Sequence, residues 1–337
     1  MNEAWYDVAI AGGGPAGCAA ALALARRGVG RIVLVDAPRR DGRRIGESLP
    51  PEAGLLLRRL GVLDSFLADN HEPCLGSCSS WGDDALGYND FLLNPHGNGW
   101  HLDRRRFDAR LLDEAAAAGV EVRRERFSRG EIRARWTVDA TGSAAAIARA
   151  AGARRLVADR LICVYQFFRQ SAFPRLSMLE AVDAGWWYAA KLPEGEAVAM
   201  FASDRETAAP RFASLLAATK HIAPALAECT PIADTFRAAP APSFVLDRAA
   251  GDDWIAVGDA ASAYDPISAQ GIYKALLDGI LAADAIVAGD TSAYEASVRS
   301  RFEQYLANRG YFYRMEQRFA ASPFWQRRAS PATRPSP

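Results

Sequence analysis

The sequence predicts an α/β protein with an added α+β layer. A parallel sheet with helices is interleaved with an antiparallel sheet and followed by C-terminal helices. Three observations favour this class: a strand–helix–strand pattern opens the chain, aromatic strands separated by turns occupy its middle, and a buried strand precedes two long helices near its end. The 337 residues, of which 50% are hydrophobic, suffice for one large domain or two interleaved ones.

The opening elements form a βαβ unit. Residues 5–11 predict a buried strand, residues 15–27 an alanine-rich helix, and residues 31–36 a second buried strand. Two such strands joined by a helix run parallel through a right-handed crossover, which predicts a Rossmann-like domain.

Later segments divide between this domain and a second one. Helices are predicted over residues 51–60, 105–118, 269–287 and 292–319, with a helical insertion at 210–220 and a short strand at 137–141. The predicted boundaries are residues 1–70, 103–154 and 248–290 for the Rossmann-like domain, 71–102 and 155–247 for an antiparallel-sheet substrate domain, 291–329 for a C-terminal helical segment, and 330–337 for a disordered tail.

Composition excludes several classes of protein. Lysine plus arginine and aspartate plus glutamate number 40 each, so no long-range field attracts nucleic acid or an anionic membrane. The apolar stretch 8–25 is interrupted by glycines and lacks a preceding basic region, which argues against a signal sequence. Five cysteines form no disulfide framework, and Cys74 and Cys78 with His71 lack a fourth metal ligand. We therefore expect a cytoplasmic protein without a metal site.

A nucleotide-binding signature follows the first strand. Residues 12–17, Gly-Gly-Gly-Pro-Ala-Gly, fit G-x-G-x-x-G between a strand and a helix. In this arrangement Gly12 allows the tight turn, Gly14 lets the backbone approach a pyrophosphate, and Gly17 lets helix pack on strand. The helix N-terminus offers N–H groups to phosphates, and Asp36 ends the second strand where a carboxylate accepts ribose hydroxyls. The signature predicts a dinucleotide.

A second signature near the C-terminus identifies the dinucleotide. Gly258-Asp259-Ala260-Ala261 follows a buried strand, and Pro266 and Gly271 come next. This order resembles the G-D motif of the para-hydroxybenzoate hydroxylase-like flavoproteins, and the resemblance implies FAD. In that family the aspartate binds the ribityl chain, the proline lies near the reactive edge of the flavin, and the glycine opens a helix aimed at the pyrimidine ring. A helix N-terminus stabilises the negative charge of reduced flavin.

Three shorter motifs extend the resemblance to residues 5–320. Residues 45–50 resemble the G-E-S loop of halogenases, residues 103–108 a D-R-x-x-F-D helix start, and residues 138–142 the A-T-G strand end. The resemblance implies that Arg104 contacts the cofactor. The predicted FAD contacts are Gly12, Gly14, Pro15, Ala16, Gly17, Asp36, Ala37, Arg44, Ser48, Arg104, Gly258, Asp259, Pro266, Gly271 and Ile272.

The sequence resembles flavin-dependent halogenases but departs from their pattern. Residues 185–193 are similar to the G-W-x-W-x-I-P signature with longer spacing. Those enzymes carry activated halogen on a lysine in the N-terminal half, whereas the lysines here are Lys191, Lys220 and Lys274. The E-S-T-G motif of those enzymes is replaced here by Ser268-Ala269-Gln270-Gly271. These departures make a halogenase the less favoured reading.

The chain is more similar to halogenase-like flavoproteins that modify protein-bound tryptophan during quinone-cofactor maturation, and residues 311–318 and 324–328 resemble their C-terminal helix and F-W-x-R-R ending. The resemblance implies an FAD-dependent monooxygenase that hydroxylates an electron-rich aromatic ring through a flavin C4a-hydroperoxide. NADH or NADPH is then the electron donor, directly or through a reductase, and the partner is an aromatic small molecule or a precursor protein. An FAD-dependent dehydrogenase or reductase of a small molecule is the alternative, and a flavin-bearing chaperone is a non-enzymatic one.

Candidates for acid–base catalysis are His101, Tyr188 and Asp265, because each lies near a predicted cofactor motif. A histidine at a strand end is more often a hydrogen-bonded structural residue. The sequence leaves open whether Trp100, Trp186 and Trp187 wall a substrate pocket or belong to the core.

Overall fold

The computed structural model describes residues 5–38, 43–128, 130, 132–169, 172–204 and 211–329, so the tail predicted at 330–337 lies outside the described residues. The strands are β1 Trp5–Ala11, β2 Ile32–Val35, β3 Ser48–Leu49, β4 Glu72–Cys74, β5 Gly76–Ser80, β6 Gly87–Asp90, β7 Gly99–His101, β8 Glu121–Arg123, β9 Arg133–Asp139, β10 Arg155–Arg169, β11 Ser177–Val182, β12 Gly185–Leu192, β13 Glu196–Ser203, β14 Thr230–Pro231, β15 Arg237–Leu246, β16 Trp254–Ala256 and β17 Ser262–Ala263. The helices are α1 Pro15–Arg26, α2 Ala53–Leu60, α3 Leu63–Ala68, α4 Arg104–Ala117, α5 Ala146–Ala150, α6 Phe212–Ala217, α7 Ile222–Ala225, α8 Gly271–Ala288, α9 Ser292–Met315 and α10 Pro323–Ala329.

A parallel sheet contains the nucleotide signature. Its five strands run in the order β16-β9-β1-β2-β8, and every pairing is parallel. All four residues of β2 are buried, as expected for a strand covered by helices on both faces. The Rossmann-like fold predicted from the opening βαβ unit is therefore confirmed.

A larger sheet forms the second layer. Its main path is β17-β15-β10-β13-β12-β11-β5-β6, and β14 also pairs with β10. Its pairings are antiparallel except for β5 with β11. A separate short sheet, β3-β7-β4, brings the segment after β2 next to residues 72–74 and 99–101.

Helices α1 and α8 pack closely because small residues face each other. A Cβ atom added at Gly279 of α8 would stand 2.6 Å from the Ala16 carbonyl oxygen and 2.7 Å from the Ala19 Cβ. At Gly258, a Cβ would stand 2.7 Å from the Ala16 Cβ. These contacts join the segment after β1 directly to the segment after β16.

The C-terminal helices cover one face of the larger sheet. Phe324, Trp325 and Tyr313 are buried against residues of β10, β12 and β13. Within the described ranges, no helix has both the length and the apolar character needed to cross a membrane.

Three predicted boundaries were wrong. The strand predicted at 137–141 begins earlier, at Arg133, and ends at Asp139, whose carboxylate turns the chain by accepting the N–H groups of Thr141 and Ile147. The last helix ends at Met315 rather than at residue 319, because Glu316 leaves helical geometry and accepts the Gly82 N–H at 2.8 Å. The helical insertion predicted at 210–220 is only Phe212–Ala217.

Candidate cofactor and active site

The turn after β1 is shaped by close backbone contacts. Gly12 has φ +110°, and a Cβ there would stand 2.3 Å from the Ala140 carbonyl oxygen. A Cβ at Gly17 would stand 1.9 Å from the Gly12 carbonyl oxygen. The structure therefore requires glycine at both positions. Gly13, a position that the G-x-G-x-x-G signature leaves open, is restricted as well, because a Cβ there would meet the Asp36 side chain at 2.8 Å.

Gly14 differs from its neighbours because it borders open space. An added Cβ would find no protein atom within 4 Å. Gly14 is the N-cap of α1 and carries no side chain to cap the helix, and Pro15 and Ala16 form the first turn. The first N–H groups of α1 are thus available to an anion such as a pyrophosphate.

Asp36 lies at the end of β2, beside this turn. It is 3% exposed, and its Oδ1 accepts the Gly13 N–H at 2.9 Å. Arg124 pairs with Oδ2 at 3.1 Å, a contact that the sequence did not predict. Ala37, the next residue, is exposed. The carboxylate is held at the strand end where the signature predicts the ribose of a dinucleotide.

The second signature also forms a turn that leads to a helix N-terminus. Gly258 has φ +60°, and its N–H donates to the Asp278 carboxylate at 3.1 Å. The Asp259 side chain is half exposed and lies 3.4 Å from the Lys274 ammonium. Gly271 begins α8, and a Cβ there would meet no atom within 4 Å. Ile272 is buried in the first turn, and Pro266 is half-buried in the preceding loop.

These features fit FAD. Two helix N-termini border open space at Gly14 and Gly271, and the Gly258–Ala16 contact places the two signatures side by side. Gly12, Gly14 and the α1 N-terminus would hold the pyrophosphate, Asp36 a ribose, and Asp259 the ribityl chain. The individual contacts stay predictions.

The loop before β3 is fastened to α4 by two arginines. Arg104 donates to the carbonyl oxygens of Ile45 and Gly46 at 2.9 and 3.0 Å and to Asp108. Arg44 pairs with Asp108 at 2.8 Å. Arg44 and Arg104 therefore shape the loop that carries Ser48. Their predicted contact with FAD is untested.

The structure brings two of the three catalytic candidates together. Ser48 of β3 and His101 of β7 are register partners. The Ser48 hydroxyl lies 2.8 Å from the Tyr188 hydroxyl, and the His101 Nε2 lies 2.9 Å from the Ser177 hydroxyl. A side-chain hydrogen bond with Ser177 acts to lower the pKa of Tyr188, against the larger effect of burial. We call His101, Ser177, Tyr188, Ser48 and the adjacent Glu47 the buried polar cluster.

Burial determines the protonation of this cluster. It lowers the pKa of His101 to about 4, which the Lys191 carbonyl offsets only in part, and it raises the pKa of Tyr188 well above 10.0. It raises the pKa of Glu47 to about 7, against the opposing charge of Arg104. At neutral pH the imidazole and the phenol are therefore neutral, and Glu47 is the member that titrates.

Glu47 was missed as a functional candidate. It is 3% exposed, and its Oε1 has no hydrogen-bond partner within the part of the chain that the structure describes. A buried carboxyl oxygen without a partner is costly unless it serves a function or meets a ligand. The available signal was a carboxylate between the apolar residues Ile45 and Leu49.

Asp265, the third catalytic candidate, lies in a different environment. Its Oδ2 accepts from Arg309 Nε at 3.1 Å and from the Tyr313 hydroxyl at 2.8 Å, and its Oδ1 accepts the Ile267 N–H at 3.0 Å. The Asp265 N–H donates to Tyr305 at 2.7 Å. These bonds give Asp265 a structural role that the sequence did not predict, because they anchor the loop before α8 to α9. Its catalytic role is untested.

Trp186 and Trp187 are buried core residues, Trp100 is partly buried against the core, and the three do not wall one pocket. Trp186 and Trp187 are consecutive in β12, so they point to opposite faces of the sheet. Trp186 donates to the Tyr313 hydroxyl at 3.0 Å beneath the C-terminal helices. Trp187 stacks on Phe201 with ring centroids 4.8 Å apart. Trp100 packs edge-on against Phe66.

Comparisons with known proteins agree with this geometry. Residues 5–162 match a family model described as an FAD binding domain. The FAD-dependent oxidoreductase LodB of Marinomonas mediterranea is 27% identical over 363 aligned residues, which cover 96% of this chain and 96% of LodB. The flavin-dependent halogenase CmlS superposes with a TM-score of 0.84 at 25% identity, over 97% of this chain and 68% of that one.

A third comparison concerns QhpG, a peptidyl tryptophan dihydroxylase essential for tryptophylquinone cofactor biogenesis. Its structure superposes with a TM-score of 0.78 at 24% identity, over 97% of this chain and 79% of that one, so the likeness is one of fold. The FAD prediction made from the two signatures is confirmed by the domain match. The chain is an FAD-dependent oxidoreductase with a halogenase-like fold.

Proposed function

We propose that this oxidoreductase is a monooxygenase that hydroxylates an electron-rich aromatic ring, with the indole of a polypeptide-bound tryptophan as its substrate. The observation that carries the proposal is the buried polar cluster, at the loop that resembles a flavin loop. There the Ser48 hydroxyl lies 2.8 Å from the Tyr188 hydroxyl, and burial, together with the adjacent Glu47 carboxylate, acts to raise the pKa of Tyr188. The fold shared with QhpG supports the choice of substrate. A cytoplasmic location without nucleic acid or membrane partners is part of the proposal.

The lysines disfavour halogenation. The chain contains three, and each ammonium lies next to a carboxylate: Lys191 is 3.1 Å from Glu72, Lys220 is 2.5 Å from Asp84, and Lys274 is 3.4 Å from Asp259. A lysine that carries activated halogen must face the oxidant, whereas each of these ammonium groups is directed at a carboxylate.

The cluster would move protons. Bound FAD supplies the electrons that activate oxygen, taken from NADH or NADPH directly or through a reductase. A ring carbon that receives a hydroxyl group must then lose its proton to restore aromaticity. The carboxylate of Glu47 accepts that proton, since its pKa of about 7 matches neutral pH. The neutral Tyr188 and His101 hold the surrounding hydrogen bonds through Ser48 and Ser177.

An isotope experiment tests the reaction. The holoenzyme is first titrated with NADH and NADPH without oxygen, and then turned over under ¹⁸O₂ with a tryptophan-containing peptide or with free tryptophan. Hydroxylation predicts bleaching of the flavin followed by ¹⁸O in the indole, with the peptide preferred. Substrate oxidation without ¹⁸O would instead establish the dehydrogenase, and a chlorinated product in the presence of chloride would establish the halogenase.

Glu47→Gln tests the residue assignment. We expect kcat to fall about 10²- to 10⁴-fold and the inflection near pH 7 in the kcat profile to disappear. Glu303→Gln, which makes the same chemical change on the exposed surface of α9, serves as the control and should keep the wild-type profile. An unchanged inflection in Glu47→Gln would remove Glu47 from the mechanism.

A further inference from the structure

A buried lysine occupies the first turn of α8. Lys274 is one of only three lysines in the chain, beside 37 arginines, and it is 3% exposed. Its ammonium donates to the Ser262 carbonyl oxygen at 2.6 Å and lies 5.1 Å from the centre of the Tyr264 ring. Lysine is almost never buried unless it is paired, so this position needs an explanation.

Two carboxylates lie near this ammonium, and they differ in their other partners. Asp278, at 3.8 Å, already pairs with Arg301 at 2.7 Å and accepts the Gly258 N–H. Asp259, at 3.4 Å, is half exposed. Asp278 therefore already has a cation in Arg301, and Asp259, the carboxylate assigned to the ribityl chain, is the one nearer to Lys274.

The helix itself disfavours a cation at this place. The N-terminal end of α8 carries a partial positive charge, so an ammonium in its first turn is repelled by the helix dipole. Part of that cost is offset by the face of the Tyr264 ring, which lies next to the ammonium and is itself stacked on Tyr305 at 4.2 Å. Charges placed against a local preference mark functional sites more often than structural ones.

We propose that Lys274 is a positioning residue for the cofactor: it orients the Asp259 carboxylate towards the ribityl chain and adds a fixed positive charge at the N-terminal end of α8. Both effects favour bound FAD, and the second favours reduced over oxidised flavin, because reduction adds negative charge. The inference rests on FAD binding and is independent of the substrate, so it survives if the proposed hydroxylation does not.

This proposal is tested on the holoenzyme with three variants: Lys274→Met, Lys274→Arg and the control Lys220→Met. Lys220 lies on the surface and pairs with Asp84, so its loss changes the net charge equally, away from α8. We expect Lys274→Met to release FAD with an about tenfold higher Kd. At fixed redox poise its reduced-to-oxidised flavin ratio should fall about tenfold, a midpoint about 30 mV lower for a two-electron couple. Lys274→Arg should recover most of both losses, and Lys220→Met should match the wild type.

Two further variants, Asp259→Asn and the double variant Lys274→Met/Asp259→Asn, distinguish positioning of the Asp259 carboxylate from a general effect of Lys274 on protein stability. If Lys274 acts through Asp259, the double variant should weaken FAD binding by less than the product of the two single effects. Additive losses, or a lower melting temperature with unchanged Kd and midpoint potential, would overturn the proposal. Should Lys274→Met not fold, Lys274→Gln removes the charge and keeps an N–H donor for the Ser262 carbonyl oxygen, and an unchanged Kd and midpoint potential in that variant would overturn the proposal.

Discussion

The two sheets of this protein are held together by different forces. Around the parallel sheet, backbone approaches backbone: glycine at positions 12, 17 and 279 permits contacts that a single Cβ would prevent. Around the larger sheet, the contacts are made by side chains. Buried aromatic rings pack together, and Arg309 forms ion pairs with Asp265 and Asp159. The cofactor half, which is the parallel sheet with α1 and α8, therefore depends on glycine positions, whereas the second half, the larger sheet with α9 and α10, depends on side-chain pairs far apart in the chain.

The largest expected effect comes from breaking a backbone contact in the cofactor half. Gly17→Ala places a Cβ 1.9 Å from the Gly12 carbonyl oxygen. We expect a loss of more than about 5 kcal/mol in the free energy of unfolding, so folded protein should not accumulate. Urea unfolding and circular dichroism measure this.

Gly14→Ala is the matched control for that prediction. Its Cβ would enter open space at an extended N-cap residue, so stability should stay within about 0.5 kcal/mol of the wild type. Its affinity for FAD should fall, because the methyl group stands where the pyrophosphate is predicted. Retained FAD affinity in Gly14→Asp, which adds bulk and charge at the same place, would contradict the first signature.

Breaking the buried ion pair that joins the loop before α8 to α9 should have the next largest effect. Arg309→Met leaves the buried Asp265 without its cation, which costs about 3 to 5 kcal/mol. Arg154→Met removes a pair on the surface and should cost less than about 1 kcal/mol. Equal urea midpoints for the two variants would show that the buried pair adds no more than the exposed one.

The pH dependence of the free energy of unfolding tests the buried polar cluster, in which Glu47 and His101 have shifted pKa values. The folded-state pKa of Glu47 is about 7, above its ordinary value of 4.5, so the folded state retains a proton that the unfolded state loses. The Glu47 contribution is therefore complete below pH 4.5 and is lost as pH rises to 7, by about 3 kcal/mol. His101 acts oppositely: its pKa falls from 6.5 to about 4, so stability is lost as pH falls through that range.

Glu47→Gln should remove only the Glu47 part of this dependence. Its free energy of unfolding should exceed that of the wild type by up to about 3 kcal/mol at pH 8 and by much less at pH 5. Urea unfolding at both values measures the difference, with Glu303→Gln expected to follow the wild type. A constant offset between wild type and Glu47→Gln at both pH values would mean that the carboxyl does not titrate in this range.

The smallest expected effect is a difference in stability between two tryptophan variants on opposite faces of the larger sheet. Trp186→Phe removes a hydrogen bond to Tyr313, whereas Trp187→Phe removes an indole N–H that has no partner among the described residues. Both changes shrink the side chain equally, so Trp186→Phe should cost about 1 kcal/mol more in chemical denaturation. A larger cost for Trp187→Phe would show that the Trp186–Tyr313 hydrogen bond adds no net stability.

The sequence predicted the cofactor half well, because its determinants are local. Gly12, Gly17 and Asp36 belong to one turn and one strand end, and their spacing alone predicts their arrangement. The opposite directions of Trp186 and Trp187 were also available from the period of two in a strand. The contact between α1 and α8 was not, since Gly279 looks like an ordinary helix interior glycine until Ala16 is placed against it.

The side-chain pairs of the site could not be predicted in the same way. The Ser48–Tyr188 hydrogen bond and the Asp265–Arg309 ion pair join residues that no local pattern connects. Lys274 and Asp259 are closer in the chain, but their pairing depends on how the loop between them returns to α8. Glu47 has no pattern of its own, because its raised pKa arises from burial by surrounding elements.

The close packing of α1 against α8 has a consequence for how the protein is made. The two helix ends assigned to FAD lie near opposite ends of the chain, and the second is absent until the ribosome has synthesised Gly271–Ala288. A nascent chain that has completed only the first βαβ unit thus has half a cofactor site and an uncovered apolar helix. Flavin insertion must follow synthesis of α8, and the interval in which the chain is prone to aggregate ends when α8 packs against α1.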